Sequence, residues 1–202
     1  MSRWYDRLAG STEKKYRDRG LEKLSARPGE KILEIGFGTS HCLVALARAV
    51  GQQGRVIGVD ISDGMADIAS KRLRQNGLRD RVDLHRADAS HLECIGADSM
   101  DGVFMSFTLE LFDTPVIPCM LQECHRVLKP GGRLAVVCMT KTDPPGMAVR
   151  VYEWFHEHVP DYADCRPLFA QPVMRQSGFA IEDVSVSSMW GLPVEIILGR
   201  KP

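Results

Sequence analysis

The feature that most constrains the fold of this chain is a short apolar run that ends in two closely spaced glycines. Residues 31–35 have the pattern of a buried strand, Gly36 and Gly38 follow, and a helical pattern begins at Ser40. Glycine has no Cβ atom, so the backbone can turn sharply there and a ligand can lie against it. Chains bind nucleotide-like cofactors at turns of this kind.

A second strand-like run, residues 55–60, ends in Asp60, which lies 22 residues after Gly38. An acidic residue at about that distance can accept hydrogen bonds from both hydroxyls of a ribose. The two segments together predict a site for an adenosine-type cofactor. Ile61 and Met65 follow Asp60, and we expect them either to pack on the adenine or to be ordinary core residues.

The type of cofactor is indicated by what the turn lacks. A dinucleotide fingerprint needs a third glycine three residues after the second, and His41 stands there instead. The chain also has no Gly-Lys-Ser/Thr phosphate loop. Glu34, two residues before Gly36, is a poor neighbour for a pyrophosphate but suits a cationic ligand. S-adenosylmethionine fits these demands, because it carries a sulfonium and an ammonium and no phosphate.

Strand and helix patterns alternate along most of the chain. The predicted strands are residues 31–35, 56–60, 82–86, 100–107 and 133–139, and the predicted helices are 2–25, 40–50, 62–76 and 115–128. Residues 181–187 and 194–199 form two more strand patterns, and their short connection requires an antiparallel pair. The prediction is a doubly wound α/β fold: a mostly parallel seven-stranded sheet, helices on both faces and an antiparallel C-terminal strand pair.

Four elements in this order resemble the class I S-adenosylmethionine-dependent methyltransferases. They are Glu34-x-Gly36-x-Gly38, the acidic strand end at Asp60, Arg86-Ala-Asp88-Ala89 and Leu128-Lys-Pro-Gly-Gly-Arg133. The resemblance runs from about residue 30 to the end of the chain. Within that class, the sequence most resembles the methyltransferases of ubiquinone and menaquinone biosynthesis. It implies S-adenosylmethionine as the cofactor and a small molecule as the methyl acceptor.

The resemblance also implies roles for individual cofactor-binding residues. The two glycines would contact the methionine end of the cofactor, and Asp60 would contact the ribose unless it only caps the helix after it. Asp88 would face the adenine amine and Ala89 would supply a backbone N–H, although Asp88 could instead only cap a turn. Ser106 begins the loop after the fourth strand, which would lie between cofactor and acceptor.

The N-terminal segment is interpreted as a separate helical lid over residues 1–30, followed by an S-adenosylmethionine-binding domain over residues 31–202. The helix is polar, and Arg27-Pro28-Gly29 interrupts the chain before the first strand. Relatives fold such a helix over the cofactor. Tyr16 is expected either to hydrogen-bond the methionine carboxylate or to pack on the domain.

The acceptor side departs from the family pattern. Quinone methyltransferases usually read Phe-Gly-Ile/Leu-Arg-Asn after the fourth strand, whereas this chain reads Phe107-Thr-Leu-Glu110-Leu111. The reversed charge argues against anionic quinone precursors, unless Glu110 is a solvated loop residue.

No catalytic residue is predicted, because methyl transfer from a sulfonium mainly needs alignment and exclusion of water. A helix over residues 147–158, which carries Trp154 and His158, would wall the acceptor pocket or belong to the core.

Composition limits the classes of protein to which this chain can belong. The 202 residues suit one compact unit, and 26 basic residues balance 26 acidic ones, so nothing indicates a nucleic-acid surface. There is no apolar signal core and no membrane-spanning run, which predicts a cytoplasmic protein. No metal site is expected, and Cys42 and Cys138 are expected to be buried. The alternatives are a nicotinamide-dependent oxidoreductase and a non-catalytic cofactor-binding subunit, and the oligomeric state stays open.

Overall fold

The fold is known from a computed structural model that describes residues 5–141 and 167–202, with side chains from residue 13 onward. The helices are α1 (Tyr5–Leu24), α2 (His41–Ala49), α3 (Asp63–Gln75), α4 (Ile117–Val127) and α5 (Ala170–Gln176). The strands are β1 (Lys31–Ile35), β2 (Arg55–Asp60), β3 (Val82–Arg86), β4 (Met100–Ser106), β5 (Leu128–Met139), β6 (Ala180–Met189) and β7 (Leu192–Arg200). Short 3₁₀ turns lie at Arg79–Arg81 and Leu109–Leu111.

All seven strands form one sheet in the order β3-β2-β1-β4-β5-β7-β6. The first five strands are parallel, and β7 runs antiparallel to both β5 and β6. The predicted fold class is therefore confirmed. The chain winds outward from β1 to β3 and then returns to β4, so the sheet reverses its winding between β1 and β4. Crevices at such reversal points are where open α/β sheets bind ligands.

The C-terminal part differs from the prediction in two ways. The segment predicted to join the last two strands is mostly strand itself, since only Trp190 and Gly191 separate β6 from β7. Both turn residues have positive φ, at 52° and 82°, which matches a tight hairpin. Helix α5 was not predicted. The predicted helix over 147–158, with Trp154 and His158, lies outside the described residues.

The core consists of two layers, one on each face of the sheet. Helices α1, α2 and α3 cover one face, where Phe104 and Val137 lie, and α4 and α5 cover the other, where Val103 and Val136 lie. Cys42 and Cys138 belong to these layers, as predicted. No helix of the described residues is both long and apolar enough to cross a membrane.

Helix α1 packs directly on the sheet. Tyr16 and Leu24 are fully buried, and a Cβ atom added at Gly20 would clash with Val137 of β5. The C-terminal half of α1 is thus part of the core layer despite its polar sequence. Whether residues 1–30 act as a lid over the domain of residues 31–202 stays a prediction.

Candidate active site

Unpartnered polar atoms are concentrated at the carboxyl ends of the two central strands. Four buried side-chain polar atoms lack a hydrogen-bond partner within the described ranges. Three of them lie at this edge of the sheet: Glu34 Oε2 at the end of β1, Ser106 Oγ at the end of β4, and Glu110 Oε2 just after β4. Buried polar groups are normally hydrogen-bonded, so this cluster indicates a ligand site. It coincides with the reversal point of the sheet.

The two glycines of the turn serve different purposes. Gly36 has a φ of 69°, and its N–H donates to the Val59 carbonyl at 2.8 Å. A Cβ atom at this position would clash with the side chain of Thr108, so Gly36 lets the loop after β4 approach β1. Gly38 also has positive φ, but a Cβ atom there would meet no atom within 4 Å. Open space therefore lies beside Gly38, and a ligand can approach its backbone closely.

Asp60 ties this turn to the start of α3. Its Oδ2 accepts the Gly38 N–H at 2.9 Å, and its Oδ1 accepts the Ser62 N–H at 3.0 Å. The capping interpretation of Asp60 thus describes part of its role. Each carboxylate oxygen can accept a further hydrogen bond, so the capacity to bind ribose hydroxyls is retained.

Glu34 is a buried acid beneath the turn, with only 3% of its surface exposed. Burial raises its pKa well above the ordinary value, Asp60 raises it further, and Arg17 of α1 opposes them. A buried carboxyl group in this position favours either a proton or a cationic partner. A ligand that brings an ammonium or sulfonium group would satisfy it, whereas a pyrophosphate would be repelled.

Cationic side chains lie close by, at the start of α2. The pKa of His41 is lowered by burial and then by Arg72, Arg17 and Lys14, which places these groups near one another. Arg72 also donates to the Thr39 carbonyl in the glycine turn. The combination of a buried acid and neighbouring cations suits a zwitterionic ligand such as the methionine end of the predicted cofactor. Sequence reasoning missed Arg17 and Arg72, because basic residues on helices usually lie on solvated faces.

The predicted adenine-side residues lie after β2 and β3. Ile61 is 70% exposed and therefore is not a core residue, while Met65 is partly buried against the core layer of α2 and α3. Asp88 is exposed, and its Oδ1 accepts the Ser90 N–H at 2.9 Å and the Ser90 hydroxyl at 2.8 Å. These bonds lower the pKa of Asp88 and keep it ionised. Ala89 beside it is buried.

The structure places Tyr16 in the packing role that the sequence left as one of two alternatives. Its hydroxyl donates to the Ser188 carbonyl of β6, and its ring meets Phe107 edge-on with 6.4 Å between centroids. A tyrosine hydroxyl has one proton to donate. The predicted bond from Tyr16 to a methionine carboxylate would therefore require the bond to Ser188 to break.

Glu110 is not the solvated loop residue that was one alternative for it. Only 1% of its surface is exposed, and its Oε1 accepts the N–H of Met139, the last residue of β5, at 3.0 Å. Burial raises its pKa to about 7, and its hydrogen bonds offset only part of that rise. The carboxyl group thus lies between the ends of β4 and β5, on the side of the crevice away from Asp60.

Comparison with known proteins gives the family of the chain. Residues 32–132 match the family described as "Methyltransferase domain". The demethylmenaquinone methyltransferase of Lactobacillus johnsonii is 31% identical over 75% of this chain and 61% of its own length. The ubiquinone/menaquinone biosynthesis C-methyltransferase of Vibrio campbellii is 32% identical over 76% of this chain and 58% of its own length. The chain thus spans about three fifths of the length of these relatives.

Solved structures support the fold. Geranyl diphosphate C-methyltransferase of Streptomyces coelicolor superposes with a TM-score of 0.79 at 15% identity, covering 94% of this chain and 81% of that one. The family match spans half of the chain and includes the glycine turn, Asp60 and Asp88. The resemblance inferred from the motifs is confirmed, and this chain belongs to the methyltransferase domain family.

Proposed function

We propose that this protein is an S-adenosylmethionine-dependent methyltransferase that acts on a small molecule. The observation that carries the proposal is the buried Glu34 carboxyl, whose Oε2 has no hydrogen-bond partner among the described residues, beneath a turn whose Gly38 faces open space. Such a site accepts a ligand with a positive charge and close backbone contact. The nicotinamide-dependent alternative is disfavoured by the same feature, because its pyrophosphate would meet a buried acid.

The described residues suggest how the cofactor is held. Glu34 and the glycine turn would bind its methionine end, with Arg17 near the carboxylate. Asp60 would bind the ribose, and Ile61 and Met65 would pack on the adenine. Asp88, Ala89 and Ser106 would complete the site at the ends of β3 and β4. When bound, the cofactor supplies a methyl group on a sulfonium, so the protein mainly has to orient the acceptor and exclude water.

The N-terminal segment has a place in this proposal. Residues 1–30 would form a lid, and residues 31–202 would form the cofactor-binding domain. The buried half of α1 anchors the segment to β4 and β5, and Arg17 carries its charge toward Glu34. The lid would act through the part of the helix that precedes this anchor.

The proposed acceptor is an uncharged hydroquinone-type ring. Support comes from relatives named as quinone-biosynthesis methyltransferases. The sequence argument against anionic quinone precursors assumed that Glu110 is charged and repels an oxyanion on the acceptor. With a pKa of about 7, this buried residue is compatible with a neutral ring hydroxyl, though it still disfavours a phenolate.

Calorimetry tests the cofactor part of the proposal. Purified full-length protein should bind S-adenosylmethionine and its demethylated product, and should not bind NAD. Binding of NAD without S-adenosylmethionine would overturn the proposal. Cofactor binding with no methyl transfer to any acceptor in a broad small-molecule screen would favour a non-catalytic cofactor-binding subunit.

A further inference from the structure

We infer that Glu110 accepts the proton of the methyl acceptor, so that the acceptor binds as a neutral molecule through a hydroxyl group. The inference rests on the proposed methyltransferase function and specifies the chemistry of its acceptor side. It gives a role to a buried carboxyl group for which the fold itself provides no full set of partners.

The position of Glu110 is set by two strands at once. The 3₁₀ turn Leu109–Leu111 follows β4 directly, and the bond from Met139 N–H to Oε1 attaches the carboxyl group to the end of β5. The backbone bond uses Oε1 and orients the group, while Oε2 has no partner in the part of the chain that the structure describes. Both strand ends belong to the carboxyl edge of the parallel sheet, where ligands bind.

If Glu110 had a purely structural role, we would expect the protein to supply a hydrogen-bond donor for its second carboxyl oxygen. Glu195 of β7 shows the contrast, because it is also buried but its Oε1 accepts a hydrogen bond from the Gln171 side-chain amide at 3.0 Å. Among the described residues, Glu110 Oε2 has no such donor, and the nearby strand-end hydroxyl Ser106 Oγ has no partner either. An unsatisfied buried carboxyl group lowers stability, so its presence beside a ligand crevice indicates use by a ligand.

The charges that face Glu110 favour proton uptake. Glu13 of α1 raises the pKa of Glu110. Burial, and then Glu110 and Glu195, raise the pKa of the Cys138 thiol on β5 well above its ordinary value, so this neighbour is neutral and adds no charge. No basic side chain contributes to the pKa of Glu110 in the part of the chain that the structure describes. A carboxyl group with a pKa of about 7 is suited to act as a general base near neutral pH.

The proton and electron balance of the step is simple. The acceptor hydroxyl gives its proton to Glu110 Oε2, and the electron pair released forms the new bond to the methyl carbon, directly or through the conjugated ring. The carbon–sulfur bond breaks, and its electron pair neutralises the sulfonium. If a ring carbon is methylated, that carbon then loses its own proton while the oxygen regains one. Glu110 finally releases its proton to water.

The test compares the wild-type protein with Glu110→Gln and the matched control Glu195→Gln, using anaerobic 2-prenyl-1,4-naphthohydroquinone as the probe. For the wild type, kcat/KM should rise with pH through about 7 as Glu110 loses its proton. Glu110→Gln should lower kcat by about 100-fold or more and abolish this rise. Glu195→Gln should retain both the rate and the rise.

A binding measurement separates catalysis from structure. With S-adenosylhomocysteine bound, the hydroquinone should bind Glu110→Gln within about threefold of wild type, because the amide still forms hydrogen bonds. Full activity of Glu110→Gln, or a wild-type kcat/KM that does not change between about pH 5.5 and 8.5, would overturn the inference. The second result needs no variant, so it holds even if Glu110→Gln fails to fold.

The two proposals fail in different ways. If the wild-type protein does not bind S-adenosylmethionine, the proposed function itself is wrong. If it binds the cofactor but does not methylate the hydroquinone, the proposed hydroquinone acceptor and the inference about Glu110 are wrong, and only the assignment as an S-adenosylmethionine-dependent methyltransferase of small molecules stands.

Discussion

Two buried glutamates lie on opposite sides of the crevice, and their surroundings differ. Glu34, on the β1 side, is 3% exposed and is influenced by Asp60 and by Arg17. Glu110, on the β5 side, is 1% exposed and has a backbone hydrogen bond, and no cation of the described residues contributes to its pKa. Each has one carboxyl oxygen without a hydrogen-bond partner in residues 5–141 and 167–202. We propose that the Glu34 site receives a permanent positive charge and that the Glu110 site takes up and releases a proton.

The largest expected effect is on the free energy of unfolding and concerns Glu110. Folding raises the pKa of Glu110 from 4.5 to about 7, so the folded state keeps its proton to higher pH than the unfolded chain. Stability therefore falls as pH rises through this window. Glu110→Gln should be more stable than wild type at pH 8 by up to about 3 kcal/mol and nearly equal near pH 4.5. Urea unfolding at both pH values measures the difference.

The cofactor then distinguishes the two sites. Glu34→Gln should also be more stable than wild type at high pH, because burial raises the pKa of Glu34 as well. Saturating S-adenosylmethionine should remove the gain for Glu34→Gln, since the ligand pairs with the wild-type carboxylate. The gain for Glu110→Gln should remain. Identical responses of the two variants would mean that the proposed division of the crevice is wrong.

The next effect concerns the two glycines on the cofactor side. Gly36→Ala should lower the free energy of unfolding by about 2–3 kcal/mol, because the new methyl group clashes with Thr108 at a positive φ. Gly38→Ala adds only the strain of its positive φ, about 1 kcal/mol, and should chiefly weaken cofactor binding by filling the open space. Denaturation and calorimetry on both variants give the comparison. Equal stability losses would contradict it.

A somewhat smaller effect is expected at Asp60. Removing its carboxylate loses hydrogen bonds worth roughly 1.5–3 kcal/mol each, so Asp60→Ala should weaken S-adenosylmethionine binding by about tenfold or more. Asp63→Ala is the matched control, because Asp63 lies at the exposed start of α3 and pairs with exposed Arg86. An unchanged dissociation constant in a folded Asp60→Ala variant would restrict Asp60 to its capping role.

The smallest effect tests the anchor of α1. Tyr16→Phe removes the hydrogen bond to Ser188 and should lower the free energy of unfolding by about 1 kcal/mol. Cofactor affinity should change by less than about twofold if Tyr16 only packs. A larger loss of affinity than of stability, measured by calorimetry and urea unfolding, would support the contact with the methionine carboxylate.

Local patterns predicted the parallel half of the sheet well. Strands β1 and β3 have the predicted limits. The apolar run of β1 lies between Gly29 and Gly36, and β3 alternates apolar and polar residues from Val82 and ends at the charged Arg86. The prediction was poorer where hydrogen bonds come from distant residues. Strand β5 begins at Leu128 rather than residue 133, since Leu128 pairs with Met100. Helix α5 has seven residues, too few for a clear periodic pattern.

The residues of the crevice also divide into those that local patterns predicted and those that only packing placed. Glycine spacing and acidic strand ends are local signals, and they predicted the turn at Gly36 and Gly38 and the position of Asp60. The roles of Arg17 and Arg72 depend on how α1 and α3 pack around the turn, which no local pattern contains. Of the two alternatives for Tyr16, the packing role appears only once Ser188 is brought to it across 172 residues of chain.

The sequence by itself determined the fold class, the family and the type of cofactor, because strand–turn–helix order and glycine conformation are local properties. Only the tertiary structure decided the state of Glu110. From its loop position this residue could have been a solvated charge, and burial at the ends of β4 and β5 makes it a group with a pKa of about 7. The physical reason is desolvation, since the proton affinity of a carboxyl group depends on neighbours that are distant in sequence.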